Sequence, residues 1–453
     1  MDIMVELKRA IGYHQAGEIE LAKDIYARIH AIAPQQPDPV HLLGVIAYQM
    51  GEYRAAVDLI KRAIRIKPNS PIYYNNLGNA YKEDGMLEDA LASYRKAIDL
   101  KPDYAEAFFD LGNAYQQLNR WNDAIAAYTS ALKLRPDMAD IHNNLGVALL
   151  HSGKADLAVF HYQKALQLKP DYAAACNNIG NALNLQDRFE EAIKWFQQAV
   201  EMNPQGSKAF ANMAFALQSL GRLDEALFYY RKALRIKPDY AEAHNDLGTV
   251  YRELGQLEQA LACFKKSASL KPHNPQAYSN IGIIFKEWEN FKEAIASYQK
   301  ALKLDSEFTE AYYNLGNVYG KCGNLEGAIE SYRKTIQLKA DHSYAYNLLI
   351  RQLQQICAWS QLQTPVAELQ ALTQRSLAEG RRAAEMPFLA FSLSDDSAYN
   401  LKVAKSWSEE IAAKSLDFVF LPPLILLTTA GRRNPESPSD IYRQTLKIMP
   451  PRT

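Results

Sequence analysis

The sequence is poor in cysteine, in net charge and in long apolar runs, and each deficit excludes a class of protein. Four cysteines among 453 residues are too few for a disulfide scaffold. Lys plus Arg equals Asp plus Glu at 51 each, so neither a nucleic-acid-coating protein nor an acidic solvating chain is indicated. No run of 18 or more apolar residues is present, so we predict no membrane-spanning helix and no membrane partner.

The N-terminus and the scattered metal-ligating residues exclude further classes. Met-Asp-Ile-Met-Val-Glu-Leu-Lys lacks the basic region, apolar core and cleavage site of a signal peptide, so we expect a soluble protein in a reducing, cytoplasmic setting. Neither the nine histidines nor the cysteines show paired ligand spacing, so no metal, redox centre or cofactor is expected. The cysteines are Cys176, Cys263, Cys322 and Cys357.

What the sequence does have is a repeat of 34 residues. A first series of glycines comprises Gly44, Gly78, Gly112, Gly146, Gly180, Gly248, Gly282 and Gly316, with Ala10 and Ala214 in the remaining places. A second series comprises Gly17, Gly51, Gly85, Gly153, Gly221, Gly255 and Gly323, with Asn119, Asp187 and Glu289 substituting. Prolines form a third series at Pro34, Pro68, Pro102, Pro136, Pro170, Pro204, Pro238 and Pro272.

Each series has a physical role in a pair of antiparallel helices. The second glycine series suits a left-handed residue that ends the first helix. The prolines end the second helix, and five of them follow a lysine, whose charge complements the helix dipole. Asp103 with Glu106, and Asp239 with Glu242, predict capping boxes for the next helix. No residue is left over for a strand, so the predicted fold is all-α.

A small residue and an aromatic residue recur four positions apart, as close helix packing requires. The small residue is Ala22, Ala56, Ala90, Ala124, Ala158, Ala192, Ala226, Ala260, Ala294 and Ala328. The aromatic residue is Tyr26, Tyr94, Tyr128, Tyr162, Phe196, Tyr230, Phe264, Tyr298 and Tyr332, with Ile60 the exception. With the first-series glycine numbered as position 8, ten repeats run from 3–36 to 309–342.

This pattern resembles the tetratricopeptide repeat, whose marks are small residues at positions 8, 20 and 27, aromatics at 11 and 24, and proline at 32. Position 27 is small at Ala63, Ala97, Ala131, Ala165, Ala199 and Ala233, and position 11 is Tyr13, Tyr81, Tyr115 or Tyr251. The resemblance covers residues 1–342. It implies a right-handed superhelix of stacked helix pairs, with the first helices lining its concave face.

Position 6 stays an amide or a carboxylate where its neighbours vary. We call these eight residues the position-6 row: Asn76, Asp110, Asn144, Asn178, Asn212, Asp246, Asn280 and Asn314, with Lys8 and Leu42 in the first two repeats. Asn and Asp are poor helix formers. One interpretation is that the row binds the main chain of an extended polypeptide, because an amide offers both a donor and an acceptor. The alternatives are that it ties adjacent repeats together, or was copied when the repeat duplicated.

Several segments resemble the protein O-GlcNAc transferases and the related SPINDLY proteins. The repeat segments are 75–83 and 313–319, and the segments beyond the repeats are 346–349, 353–359, 386–388 and Trp407. The resemblance implies that an asparagine ladder on the concave face holds the substrate polypeptide. It also implies a helical connector over 343–417, which in that family leads into the catalytic half. We expect residues 418–453 to be an irregular tail.

The chain departs from that family in the catalytic half, which has two nucleotide-sugar-binding lobes with essential histidine and lysine residues. Only 111 residues follow residue 342, and none is a histidine. Two doubly wound lobes cannot be built from them, so we expect a binding scaffold and no enzyme. The alternative is a family member whose catalytic domain is truncated or separately encoded, which would make a glycosyltransferase a partner.

Two other modes of association are considered. Trp195, Phe228 and Tyr229 are bulky for second helices and could form an outward patch through which two copies associate on the convex face. Tetratricopeptide domains that bind chaperone tails resemble this chain but need a lysine at position 5. From the third repeat onward that position is Asn75, Phe109, Asn143, Asn177, Ala211, Asn245, Ser279 and Tyr313. A carboxylate clamp is therefore not expected.

Overall fold

A computed structural model describes residues 2–415, and within that range the protein is entirely α-helical apart from turns and one short 3₁₀ helix. It contains 24 α-helices and no strand over those residues. The predicted all-α fold of paired helices is confirmed. The predicted irregular tail, 418–453, lies outside the described residues. None of the described helices is both long enough and apolar enough to cross a membrane.

The first helices of the ten repeats are α1 (Ile3–Gln15), α3 (Pro37–Gln49), α5 (Pro71–Glu83), α7 (Ala105–Gln117), α9 (Ala139–His151), α11 (Ala173–Asn184), α13 (Ser207–Ser219), α15 (Ala241–Glu253), α17 (Pro275–Glu287) and α19 (Thr309–Lys321). The second helices are α2 (Ile19–Ile32), α4 (Tyr53–Ile66), α6 (Leu87–Leu100), α8 (Trp121–Leu134), α10 (Ala155–Leu168), α12 (Phe189–Met202), α14 (Leu223–Ile236), α16 (Leu257–Leu270), α18 (Phe291–Leu304) and α20 (Leu325–Leu338). By its contacts the chain divides into two units, one up to Val318 and one from Tyr319.

Each first helix ends at a left-handed residue, as the second glycine series predicts. The seven glycines of that series have φ between +72° and +82°. The three substitutes, Asn119, Asp187 and Glu289, adopt φ of +56° to +57°. Because a side chain is disfavoured in this conformation, the turn and not the residue determines the geometry at those three sites.

The predicted capping boxes are wrong. Helix α7 begins at Ala105, and its N-cap is Tyr104, which makes no side-chain capping hydrogen bond. Helix α15 begins in the same way after Tyr240. The aspartates at 103 and 239 therefore lie one residue too early to cap the helix. These N-termini are fixed by the packing of the repeat and not by a side-chain cap.

The glycines of the first series lie against the side chain at position 24, which is Ile60 for Gly44 and an aromatic ring for the six from Gly78 to Gly282. For the seven glycines from Gly44 to Gly282, an added Cβ would lie 2.5–2.7 Å from the side chain at position 24 of the same repeat. In the third repeat Gly78 faces the fully buried Tyr94, and in the fifth Gly146 faces Tyr162. The predicted packing of a small residue against a ring is confirmed, and it joins the two helices of one repeat.

Two of the buried tyrosines find a hydrogen-bond acceptor at position 9. The hydroxyl of Tyr94 donates to Asn79 Oδ1 at 2.7 Å. The hydroxyl of Tyr128 donates to Asn113 Oδ1 at 2.8 Å. Each bond links the centre of the first helix to the ring on the second helix, so the ring is held at both ends.

Four other repeats have the same tyrosine without the acceptor, because position 9 is Ile11, Val147, Phe215 or Ile283. The hydroxyls of Tyr26, Tyr162, Tyr230 and Tyr298 are buried there and have no hydrogen-bond partner. A buried hydroxyl without a partner costs about 1–3 kcal/mol, so these repeats lose stability that the third and fourth retain.

The first helices lie on the inner side of the array in the first unit. From α3 to α15, each first helix contacts the first helix of the next repeat, and within residues 2–318 neighbouring second helices contact one another less. Because closer packing on one side bends a solenoid toward that side, the first helices form its inner surface. We call this surface the first-helix face.

The second unit continues the helical fold around a small core of its own. Its remaining helices are α21 (Ser343–Gln355), α22 (Gln363–Ala378), α23 (Pro387–Leu393) and α24 (Ser397–Ser415), with a 3₁₀ turn at Trp359–Gln361. The Asn347 amide donates to the carbonyl of Ala384 and accepts from the N–H of Met386, both at 2.9 Å. The Trp407 indole donates to the carbonyl of Glu385 at 2.8 Å. Three segments singled out in the sequence thus meet in one place.

Candidate functional site

The position-6 row lies along the first-helix face, with one member on each first helix from α5 to α19. Asn280 is buried with 9% of its surface exposed, and the other seven are partly buried. Positions 2 and 13 of the same helices are largely exposed, as at Ile72 and Leu185. The row therefore lies in the grooves between neighbouring first helices, below a rim of variable side chains.

A hydrogen bond to the preceding repeat holds most members of the row. The Nδ2 of Asn178 donates to Asn143 Oδ1 at 2.9 Å, and that of Asn212 donates to Asn177 Oδ1 at 3.0 Å. In each case the acceptor is the position-5 side chain, 35 residues earlier. Asn280 donates to position 5 of its preceding repeat in the same way, at 2.9 Å.

Polar partners at position 5 extend this pattern to the third and fourth repeats. Asn76 Nδ2 lies 3.0 Å from His41 Nε2. The carboxylate of Asp110 accepts from Asn75 Nδ2 at 2.9 Å.

Where position 5 offers no suitable side chain, the row finds another partner. Position 5 before Asn144 is Phe109, and Asn144 donates instead to Asn113 at position 9, at 3.0 Å. Position 5 before Asp246 is Ala211, and Asp246 accepts from its own neighbour Asn245 at 3.3 Å. The last member, Asn314, accepts from Lys286 Nζ at 3.4 Å.

These bonds leave an unused acceptor at three members of the row. The amide nitrogens of Asn76, Asn178 and Asn212 contact the preceding repeat, while their Oδ1 atoms make no hydrogen bond within the described residues. The row was predicted from the sequence, whereas position 5 was not predicted to be its partner. The signal was present, because position 5 is Asn or His in five of the repeats from the second to the eighth.

The two carboxylates in the row are electrostatically unlike its amides. Burial raises the pKa of Asp246 to about 6. Burial also raises the pKa of Asp110, although the Asn75 hydrogen bond and the nearby Lys82 oppose that shift. Desolvation disfavours the charged form of an acid, so both carboxylates are destabilising when ionised, a cost that the asparagines avoid.

Metal-ligating side chains are scattered over the part of the chain that the structure describes. It contains no group of three or more His, Cys, Asp or Glu residues that could hold a metal ion. Two histidines that the sequence reasoning did not connect do meet, with His142 Nδ1 3.0 Å from His161 Nδ1. Burial and their mutual repulsion lower the pKa of His161. His151 instead stacks on Trp121, with ring centroids 4.1 Å apart.

The predicted outward patch is only partly exposed. Phe228 is 60% exposed on α14, whereas Trp195 and Tyr229 are half-buried and pack against the core. Tyr229 contacts the edge of the Phe228 ring, with centroids 5.0 Å apart. Association of two copies through this patch stays a prediction.

Comparison with known families gives matches over most of the repeat region. Models of the tetratricopeptide repeat match residues 109–173, 207–273, 173–205 and 309–342, and a TPR repeat model matches 44–85, 79–119 and 284–323. Together these matches span well over half of the chain. No curated protein matches it.

Solved structures that match the chain include those of YrrB and MamA. YrrB, described as a TPR protein with an unusual peptide-binding site, is 28% identical over 41% of this chain and 95% of its own, with a TM-score of 0.35. Two structures of MamA are 24% and 25% identical over 38% and 37% of this chain and 94% and 97% of their own. Their TM-scores are 0.35 and 0.34.

Proposed function

The chain belongs to the tetratricopeptide repeat family, and we propose that it is a protein-interaction scaffold that binds extended polypeptide along the first-helix face. The observation that carries this proposal is the set of unused carbonyl oxygens on Asn76, Asn178 and Asn212. Their amide nitrogens are held by the preceding repeat, so each oxygen has a fixed position before a ligand arrives. An acceptor held in place loses little entropy on binding.

The spacing of the row suits an extended main chain. Packed helices lie about 8–10 Å apart, and an extended chain advances about 3.3–3.6 Å per residue. Each repeat would therefore meet roughly every third residue of the ligand and accept one of its N–H groups. Affinity would come mainly from the main chain of the ligand.

The alternative is that the position-6 row has a purely structural role. Two pairs of variants distinguish peptide binding from that role. Asn178→Ala with Asn212→Ala removes the unused oxygens, whereas Asn143→Ala with Asn177→Ala removes only their partners in the preceding repeats. Fluorescence anisotropy with a labelled unstructured peptide measures binding, and thermal unfolding measures stability. We expect the first pair to lose binding about tenfold or more and the second pair to lose much less. Equal binding by both pairs, at equal cost in stability, would leave the row a structural feature.

We also propose that this scaffold serves a protein O-glycosyltransferase domain that lies outside these 453 residues. The support is the resemblance of the repeats and of the segments around Asn347 and Trp407, which pack together in the second unit. The alternative is that this chain is itself a transferase of that family. Incubation with a labelled nucleotide sugar and acceptor protein separates the two. Label transferred by the purified chain alone would overturn the scaffold proposal.

A further inference from the structure

A cavity of about 810 Å³ lies in the second unit, beside the turn that follows α22. Its walls are the C-terminal part of α22, the segment 380–384, one face of α24 and residues at the start of α21. Cavities of about 300–1,000 Å³ are typical of small-molecule sites. The size of this cavity therefore fits a small molecule and not a folded partner.

Cations are concentrated around this cavity. Residues 319–410 contain ten Lys and Arg and ten Asp and Glu, so that part of the chain has no net charge. Five of the cations line the cavity, whereas only three of the acids do. The wall is therefore positively charged although its surroundings are neutral. The five cations are Arg375, Arg381, Arg382, Lys402 and Lys405.

The wall is held in place by contacts of its own. Arg382 Nε lies 2.9 Å from Glu410, and the Arg382 guanidinium lies 4.2 Å from the centroid of the Trp407 ring. The N–H of Ala383 donates to Ser406 Oγ at 3.1 Å, which ties the turn to α24. Because these contacts fix the wall before a ligand arrives, binding costs little ordering of the protein.

Three of the other cations have no acid of this chain as a partner. Arg381 pairs with Glu379, whereas Arg375, Lys402 and Lys405 form no ion pair within the described residues. Lys402 and Lys405 lie three residues apart on α24, so they share one face of that helix. Like charges that line one cavity repel each other, and an anion between them removes that repulsion.

The acids at the cavity restrict where an anion can bind. Glu410 is paired with Arg382, but Asp341 and Glu409 line the cavity without an ion pair in the described part of the chain. An anion must therefore approach the cations and avoid these two carboxylates. This arrangement predicts that removing one of them strengthens binding.

Phosphate groups have the charge and the geometry that these cations require. A phosphate monoester carries about −1.5 to −2 charges, and Arg and Lys are the side chains that bind phosphate oxygens best. A ligand with several phosphates supplies several charges in a small volume. An acidic polypeptide would instead need an interface of about 800 Å² on each partner.

We infer that this cavity binds a small molecule that carries two or more phosphate groups, held chiefly by Arg375, Lys402 and Lys405. The hydroxyls of Ser343 and Ser376 also line the cavity and can donate to phosphate oxygens. The inference goes beyond the proposed function and does not depend on polypeptide binding along the first-helix face.

Isothermal titration calorimetry of the full chain with inorganic triphosphate tests the inference, with inorganic phosphate for comparison. Triphosphate should bind about tenfold more tightly than phosphate at the same ionic strength, and added salt should weaken it. Lys402→Gln with Lys405→Gln should weaken triphosphate binding about tenfold or more, because two charge-assisted contacts are lost.

The matched control is Lys334→Gln with Arg351→Gln, which removes the same charge from the second unit outside the cavity wall. It should change triphosphate binding by less than about twofold. Thermal unfolding checks that each variant is folded.

Glu409→Gln keeps the test decisive if the lysine variants perturb folding. It removes an unpaired carboxylate from the wall and should tighten triphosphate binding about twofold to fivefold. A damaged fold would not produce a gain in affinity.

Two further probes identify the class of ligand. Adenosine triphosphate that binds at least as tightly as inorganic triphosphate would support the inference and show that the cavity accepts an organic group as well. A peptide of glutamates that binds more tightly than triphosphate would overturn the inference, because it would assign the cavity to acidic polypeptide. Absence of triphosphate binding, or equal losses in the two pairs of variants, would also overturn it.

Discussion

The third and fifth repeats have the same helix pair and the same glycine against a buried tyrosine, but they differ at position 9. In the third repeat Asn79 accepts a hydrogen bond from the Tyr94 hydroxyl at 2.7 Å. In the fifth, Val147 accepts none, and the buried Tyr162 hydroxyl has no partner. Position 9 lies on the first-helix face. One side chain there cannot both accept the hydrogen bond from the tyrosine hydroxyl and provide apolar surface.

The same contrast extends to charge along the face. The flanks contain two partly buried carboxylates, Asp110 and Asp246, where the middle has the amides Asn144, Asn178 and Asn212. The fifth and seventh repeats thus lack the tyrosine hydrogen bond of the third and fourth, as the first and ninth repeats also do, and they have an amide at position 6. The repeats therefore share a fold but differ in stability.

The largest expected effect on stability comes from replacing a carboxylate of a flanking repeat with the amide that the middle repeats have at position 6. Asp246→Asn removes a carboxyl whose pKa is raised to about 6. A raised pKa means that the folded state holds its proton, so this carboxyl lowers stability as the pH rises from about 4 to about 6. Two pKa units correspond to about 3 kcal/mol at most. Urea unfolding at pH 8 should show a gain of that order or less, which fades below pH 4.

The control for this prediction is Asp171→Asn, an exposed carboxylate on a connecting turn. It should leave the free energy of unfolding at pH 8 nearly unchanged. If Asp246→Asn left it unchanged as well, the carboxylate would not be a source of instability in the flank.

The next effect concerns how firmly the ring is held. A Cβ on Gly78 or Gly146 would lie 2.5 Å from its tyrosine ring. Overpacking typically costs about 1–3 kcal/mol, and alanine returns up to about 1 kcal/mol of helix propensity. Tyr94 is held by its hydroxyl and Tyr162 is not, so Gly78→Ala should cost about 2 kcal/mol and Gly146→Ala about 1 kcal/mol.

The seventh repeat supports that order, because it already carries Ala214 in the glycine position and its Tyr230 hydroxyl has no partner. Thermal unfolding of the two variants is the measurement. A larger loss for Gly146→Ala would show that the hydroxyl does not hold the ring.

Removing the hydroxyls gives a smaller effect of opposite sense in the two repeats. Tyr94→Phe breaks a buried hydrogen bond and should cost about 1 kcal/mol. Tyr162→Phe removes a buried hydroxyl without a partner and should be neutral or slightly stabilising. Equal losses in urea unfolding would contradict the difference between the repeats.

The smallest effect comes from restoring the missing acceptor. Val147→Asn should gain about 0.5 kcal/mol by accepting from Tyr162, net of lost apolar contact. A double-mutant cycle with Tyr162→Phe measures this coupling. The gain should vanish in the Tyr162→Phe background, and its persistence there would assign it to another contact.

Much of the fold follows from the periodic residues, because their physical constraints are local. A glycine against a ring, a left-handed residue after a helix and a proline after the next helix each report a constraint within one repeat. The predicted capping boxes were nevertheless wrong. The spacing of Asp103 and Glu106 fits the motif, but the helix begins one residue later than the motif requires.

The candidate site was predicted less completely, because its contacts join different repeats. The row was visible at position 6, but its partner lies 35 residues away at position 5, as in Asn178 with Asn143.

The most direct test of the account is to ask which face of the repeats contacts a bound polypeptide. Photo-reactive residues at Gln117 and Ser219 report on the first-helix face, and those at Leu157 and Phe228 report on second helices. All four side chains are exposed. Irradiation with a labelled unstructured peptide should give crosslinks from the first two positions and not from the others. Crosslinks chiefly from Leu157 and Phe228, or from none of the four, would contradict binding along the first-helix face.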